Sequence, residues 1–191
     1  MRILILAIIC LLSLGACQSQ HMQAINQSHL NLTVDDHSAL IEFMRPESYG
    51  SRFQSSIFNI TNDTLEFIGI LSAQNRFITK LPAGSYRFAV IGENADFLDA
   101  ELGSGKRYAA RITTHMGFMR MQYKFHAVKN GSLATFNKQC PSCIWTKPLP
   151  SAQEWANANM PSIRSKIAKY LPKWINNPSR AIISPSDNMT P

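Results

Sequence analysis

The chain of 191 residues has no apolar run long enough to cross a bilayer as a helix: the longest, Ile3–Leu12, has ten residues, where about twenty are needed. Charge is scarce at 16% while apolar residues make up 45%, a balance that excludes a disordered polyelectrolyte. The nine glycines follow no Gly-X-Y period, which excludes a collagen-like rod. The patterns of common catalytic sites are missing as well. There is no G-x-S-x-G nucleophile turn, no H-E-x-x-H metal helix and no EF-hand spacing, and Gly103-Ser104-Gly105-Lys106 does not complete a phosphate loop. Acidic residues number twelve against nineteen basic ones. What remains is one globular body with a basic excess.

The most specific signal is at the start. Arg2, the apolar run Ile3–Leu12 and the small residues Gly15 and Ala16 follow the order of a secretory signal, too short for a transmembrane helix. Leu14-Gly15-Ala16-Cys17 resembles the lipobox of bacterial lipoprotein precursors. The resemblance implies that residues 1–16 are removed and that Cys17 becomes the first residue, carrying a covalent diacylglyceryl group and an N-acyl chain, with no other cofactor. Several acyl chains hold a protein on a membrane stably where one does so only marginally. Gln18 rather than an aspartate at the next position implies onward sorting to the outer membrane, facing the periplasm.

Beyond the leader the charge is uneven. Residues 17–137 hold eleven basic and ten acidic side chains, whereas residues 138–191 hold seven and two. The stretch 18–37 is rich in Gln, Asn, Ser and His without apolar periodicity, which predicts a polar tether. From 38 to 137 short apolar or alternating runs (Ala39–Met44, Ser55–Ile60, Leu65–Leu71, Phe77–Leu81, Tyr86–Ile91, Tyr108–Ile112, Phe118–Val128) are separated by turn residues such as Pro82-Ala83-Gly84 and Asn130-Gly131. Their spacing predicts an antiparallel β-sandwich or barrel, with Asn130-Gly131 as a tight hairpin turn. Residues 138–150 read as a linker. In 151–176 the spacing Ser151-x-x-Glu154 predicts a capped helix start, and Ile163, Ile167, Tyr170, Leu171 and Trp174 share one helical face with Lys166, Lys169 and Lys173 on the adjacent arc. Pro161 is expected to kink or restart this helix. Residues 177–191 read as an extended tail.

Ala39-Leu40-Ile41-Glu42-Phe43-Met44-Arg45-Pro46, Gly69-Ile70-Leu71, Leu81-Pro82-Ala83-Gly84-Ser85-Tyr86 and Gly105-Lys106-Arg107-Tyr108 resemble an uncharacterised family of small proteobacterial lipoproteins with "F-x-R-P", "L-P-x-G-x-Y" and "G-K-x-Y" motifs. More loosely they are similar to PEGA-type and transthyretin-like domains. The resemblance covers residues 38–128 and implies an immunoglobulin- or transthyretin-like sandwich. It brings no catalytic residues.

Three clusters carry possible chemistry. Cys140-Pro141-Ser142-Cys143 in an oxidising compartment predicts a short disulfide. Dithiol redox catalysis, or zinc held together with His115 and His126, are the alternatives; the first wants a helix start after the pair, and two prolines follow within seven residues instead. Asp35-Asp36-His37 and the acidic group Glu93, Asp96, Asp99 and Glu101 read as solvated loops rather than metal sites. Lys166, Lys169 and Lys173 could meet an anionic envelope lipid or glycolipid, or simply keep an otherwise packed helix soluble. The function expected is therefore that of a membrane-anchored, non-enzymatic envelope module that contacts a bilayer and an envelope protein or anionic glycolipid. Nucleic acid is not expected in that compartment despite a sequence pI near 9.4.

Overall fold

Apolar side chains recurring at short spacing commit much of the chain to strands. A computed structural model describes residues 20–119 and 121–189. Its strands are β1 (Met22–Ala24), β2 (Ser38–Arg45), β3 (Ser55–Asn59), β4 (Glu66–Leu71), β5 (Asn75–Pro82), β6 (Gly84–Ile91), β7 (Ala95–Leu102), β8 (Arg107–Met116), β9 (Met121–Ala127), β10 (Ile144–Pro148) and β11 (Ala181–Ile183). Two α-helices follow β9: α1 (Leu133–Lys138) precedes β10 and α2 (Pro150–Ile175) precedes β11. The protein is mainly β, with eleven strands in two sheets ordered β1-β10-β5-β2-β8-β9 and β11-β7-β6-β3-β4.

Both sheets are mixed, which corrects the antiparallel expectation. β2 runs parallel to β8, β10 to β5 and β11 to β7. The physical reason is connection length: hairpins such as β6–β7 and β8–β9 reverse direction at once, whereas β2 to β8 and the late strands are joined by long excursions that can return in either sense.

Three apolar clusters hold these elements. The largest takes Ile41, Phe43, Phe77, Tyr108 and Phe125 from the six-stranded sheet together with Ile57, Phe88 and Leu98 from the five-stranded one. Its aromatic rings make tilted and edge contacts, with Phe43 5.3 Å from Phe88 and 5.5 Å from Phe77, the arrangements ring quadrupoles favour. Gly69 makes room for it: a Cβ there would lie 2.8 Å from the Phe77 ring. A second cluster buries Phe58, Ala89 and Phe97 of the five-stranded sheet under Ala156, Ile163 and Trp174 of α2. The third joins Met44 and Ala109, on the other face of the six-stranded sheet, to Phe136 of α1, Cys140 and Met189.

The face assigned to α2 is the one it buries, with Ile167, Tyr170 and Leu171 partly covered beside Ile163 and Trp174. Its ends and interior differ from expectation. Pro150 opens the helix after Leu149, which gives no side-chain cap, and Ser151 Oγ sits 3.3 Å from His21 Nδ1 instead of capping. The helix runs unbroken through Pro161 and Pro172, because the apolar stripe on both sides of Pro161 packs on one sheet and outweighs a missing hydrogen bond. Asn130 takes a positive φ of 45°, but the chain then enters α1, capped by Ser132, so no hairpin forms there.

Three stretches read as irregular carry strands. Within 18–37, β1 pairs with β10 and Met22 enters the core. Within 138–150, β10 extends the larger sheet. Within 177–191, β11 joins β7 and is followed by a 3-10 turn, Pro185–Asp187.

Candidate functional site

A cleft of about 730 Å³ opens between α2, the loop from β2 to β3, the turn from β6 to β7, and the beginning of β9. Alternation along β9 turns Met121 and Tyr123 inward, and both line it. Ile70, Ile91 and Ile163 extend this apolar floor; Arg52, Glu93, Asn159 and Lys166 bring polar groups to the rim. Gln20 and His21, the first described residues, line the same cleft. Its composition suits an amphiphilic partner, since apolar walls supply contact area and a few polar groups fix orientation.

Arg45 holds the loop that forms one wall. The motif that ends β2 places its guanidinium fully buried, where it donates to the carbonyls of Phe53 at 2.7 Å, Tyr49 at 2.9 Å and Gly50 at 3.0 Å and to Thr114 Oγ1 at 3.2 Å. A five-donor fork suits such a loop, whose turned-in carbonyls have no strand partner. Glu47 completes the clamp by accepting from the Thr114 amide at 2.7 Å. The guanidinium also lies 5.1 Å from the centre of the Tyr123 ring. Burial pushes the Tyr123 hydroxyl above its ordinary pKa while the Arg45 charge pulls the other way. That hydroxyl is buried without a well-formed hydrogen bond, and a guanidinium, which has no acceptor, cannot take its proton. Gly92 closes the floor, for a Cβ there would stand 2.3 Å from the Tyr123 ring.

The three lysines of α2 differ in their surroundings. Lys166 is half-buried at the cleft rim and donates to the Gly92 carbonyl. Lys169 lies over the Tyr170 ring at 5.4 Å, and Lys173 is exposed in the last turn.

Cys140 and Cys143 are joined, with Cα atoms 5.2 Å apart. Cys140 is buried in the cluster under α1, and the pair follows the end of that helix rather than opening it, so the N-terminus of α1 is not placed to stabilise a thiolate. The two histidines once paired with it for zinc stand on adjoining strands, with Arg111 opposite His126 and Gln122 opposite His115. His126 meets Thr113 Oγ1 at 2.8 Å; burial, then the charges of Arg111 and Lys124, lower its pKa. Among the described residues no group of three or more His, Cys, Asp or Glu could hold a metal ion.

The acidic residues read as a loop lie on or beside β7. Asp96 accepts from the Phe125 amide at 2.7 Å and Asn94 exchanges two bonds with Tyr123, so this segment stitches β9 to the other sheet. Burial raises the Asp96 pKa in spite of that amide. Asp99 pairs with Arg87 at 2.6 Å. Asp35 turns back onto the His37 amide and pairs with Lys80 at 2.9 Å, which holds its carboxyl well below the usual range.

One charged cluster was missed altogether. Glu42, fully buried on β2, accepts from Arg76 and, at 2.5 Å, from Arg107. Arg76 stacks 4.2 Å from the Trp145 ring centre. A glutamate inside the apolar run Ala39–Met44 was the available signal, because a carboxylate on a buried strand needs cationic partners. Arg45 offered a similar one at the end of the same run.

No family model, curated protein or solved structure matches the chain.

Proposed function

We propose that this chain is a bacterial envelope lipoprotein, held through acylated Cys17 on the outer membrane, whose two sheets face one another as a sandwich and whose cleft serves as a non-enzymatic binding surface. The observation that carries the reading is the sequence Leu14-Gly15-Ala16-Cys17 placed three residues before Gln20 at the cleft. The shared cluster of both sheets supports the sandwich, and its likeness to PEGA-type or transthyretin-like domains of small lipoproteins belongs to the same proposal. Arg52 and Lys166 beside an apolar floor favour an amphiphile with an anionic group, such as an envelope glycolipid, as the occupant. A redox or metal-binding role for Cys140 and Cys143 is less well supported, since the first sulfur is buried and the pair is closed.

Metabolic labelling tests the anchor. Cells fed an alkyne analogue of palmitate should label the wild-type protein and leave Cys17→Ser unlabelled; equal labelling of both, or of neither, rejects it.

A further inference from the structure

The polar stretch 18–37 leaves no long tether, because Gln20 already lines the cleft and Met22 is in the core. Gln20 lies three positions after Cys17, a reach of about 10 Å when extended. A lipid on Cys17 therefore holds the body directly against the bilayer, and the surface around the cleft mouth is the one that meets it.

That end of the molecule is also where apolar side chains stand uncovered. Eight large apolar residues are exposed among the described residues, and five belong to two adjoining segments: Tyr49 and Phe53 of the loop from β2 to β3, and Met116, Phe118 and Met119 at the turn from β8 to β9. Phe118 is 93% exposed and Met119 79%. The segments are fixed to one another at their bases. Glu47 and Arg45 both bond Thr114 on β8, and Gly50 packs against Met121, the partner of Met116 across the hairpin. Phe53 and Met121 line the cleft that Gln20 enters, so the apolar end and the anchored end coincide. Arg52, exposed between Tyr49 and Phe53 in chain terms, and Lys124 on the outward face of the hairpin place positive charge around it. Glu47 is engaged with the Thr114 amide and Glu93 stands at the cleft rim.

We propose that this end is a membrane-docking surface, with Phe118 and Met119 seated at the boundary between headgroups and acyl chains of a phospholipid bilayer and the basic residues toward anionic headgroups. An uncovered apolar patch of this kind marks an interaction site, and aromatic and thioether side chains beside cations are the composition of a membrane interface. The proposal rests on the anchoring reading: it is the short connection to Cys17 that makes a bilayer, rather than a second protein, the surface within reach.

The test uses the full protein isolated from membranes and reconstituted into vesicles of phosphatidylethanolamine and phosphatidylglycerol, with and without brominated acyl chains. F118W, and separately M119W, place an indole at the tip, read as the difference from wild type because Trp145, Trp155 and Trp174 also emit. The expected result is a blue shift of the difference emission, its loss with brominated lipid and its protection from aqueous iodide. Iodide quenching without brominated-lipid quenching overturns the proposal. So does protection from both quenchers, which would mean that protein, such as a second copy of the chain, covers the tip. The mass of the same preparation reports separately whether Cys17 is acylated, so a failed anchor and a failed docking surface are told apart.

Discussion

Glu42→Ala should cost about 3–5 kcal/mol of folding stability, the usual range for removing one partner of a buried ion pair. The size follows from what is left behind. Glu42 is completely covered, the Arg76 side chain is 5% exposed and that of Arg107 15%, so two guanidinium groups lose their anion with little water to replace it. Arg76 Nε donates to Glu42 at 2.6 Å and its Nη2 also reaches Asn137 Oδ1 at 2.6 Å, which ties the end of α1 to the cluster. Chemical denaturation monitored by fluorescence reads the loss, and a thermal midpoint roughly 6–20 °C lower follows from about 2–4 °C per kcal/mol for a protein of this size. Replacing all three groups with apolar ones, Glu42→Leu with Arg76→Met and Arg107→Met, should recover much of the loss, because the burial penalty of the charges disappears with them. A cost below about 1 kcal/mol for Glu42→Ala, the value of an exposed pair, would refute the reasoning.

Reducing the Cys140–Cys143 bond should destabilise the protein by about 2 kcal/mol, the loop-closure value for so short a ring; urea titrations of oxidised protein and of the Cys140→Ser, Cys143→Ser double variant measure it, and no difference would mean the bond constrains nothing. Tyr123→Phe removes a buried hydroxyl that lacks a good hydrogen bond and should stabilise by roughly 1 kcal/mol, whereas a clear loss in the same titration would reveal a partner for that oxygen. His126 has a folded pKa below the ordinary 6.5, so its contribution is fully present above pH 6.5 and is lost as pH falls through the lower folded value. Comparing the acid limb of stability in wild type and His126→Gln should show a shallower decline in the variant, and superimposable limbs would dismiss the effect.

The strands with clean alternation were legible: Met121, Tyr123 and Phe125 turn inward as their spacing requires, while Lys124 is exposed. β7 was not, because Asp96 and Asp99 make it look solvated when one bonds the neighbouring sheet and the other pairs with Arg87. β1 and β11 have three residues each, too few to show a period, and gain their order from pairing with distant strands. The cleft was illegible for the same reason, since residues 20–21, 51–56, 121–123 and 155–166 meet only through long-range topology. Within it, Lys166 had been singled out for its charge, while Tyr123 had been read only as part of a strand. The signal Leu14-Gly15-Ala16-Cys17 lies outside the described residues, and its meaning is chemical rather than conformational.

The intact mass of the protein extracted from bacterial envelopes tests the central claim most directly. The account predicts a chain that starts at Cys17 and carries the added mass of a thioether-linked diacylglyceryl group and an amide-linked acyl chain. A chain that still starts at Met1, or a Cys17 with a free thiol, would contradict it.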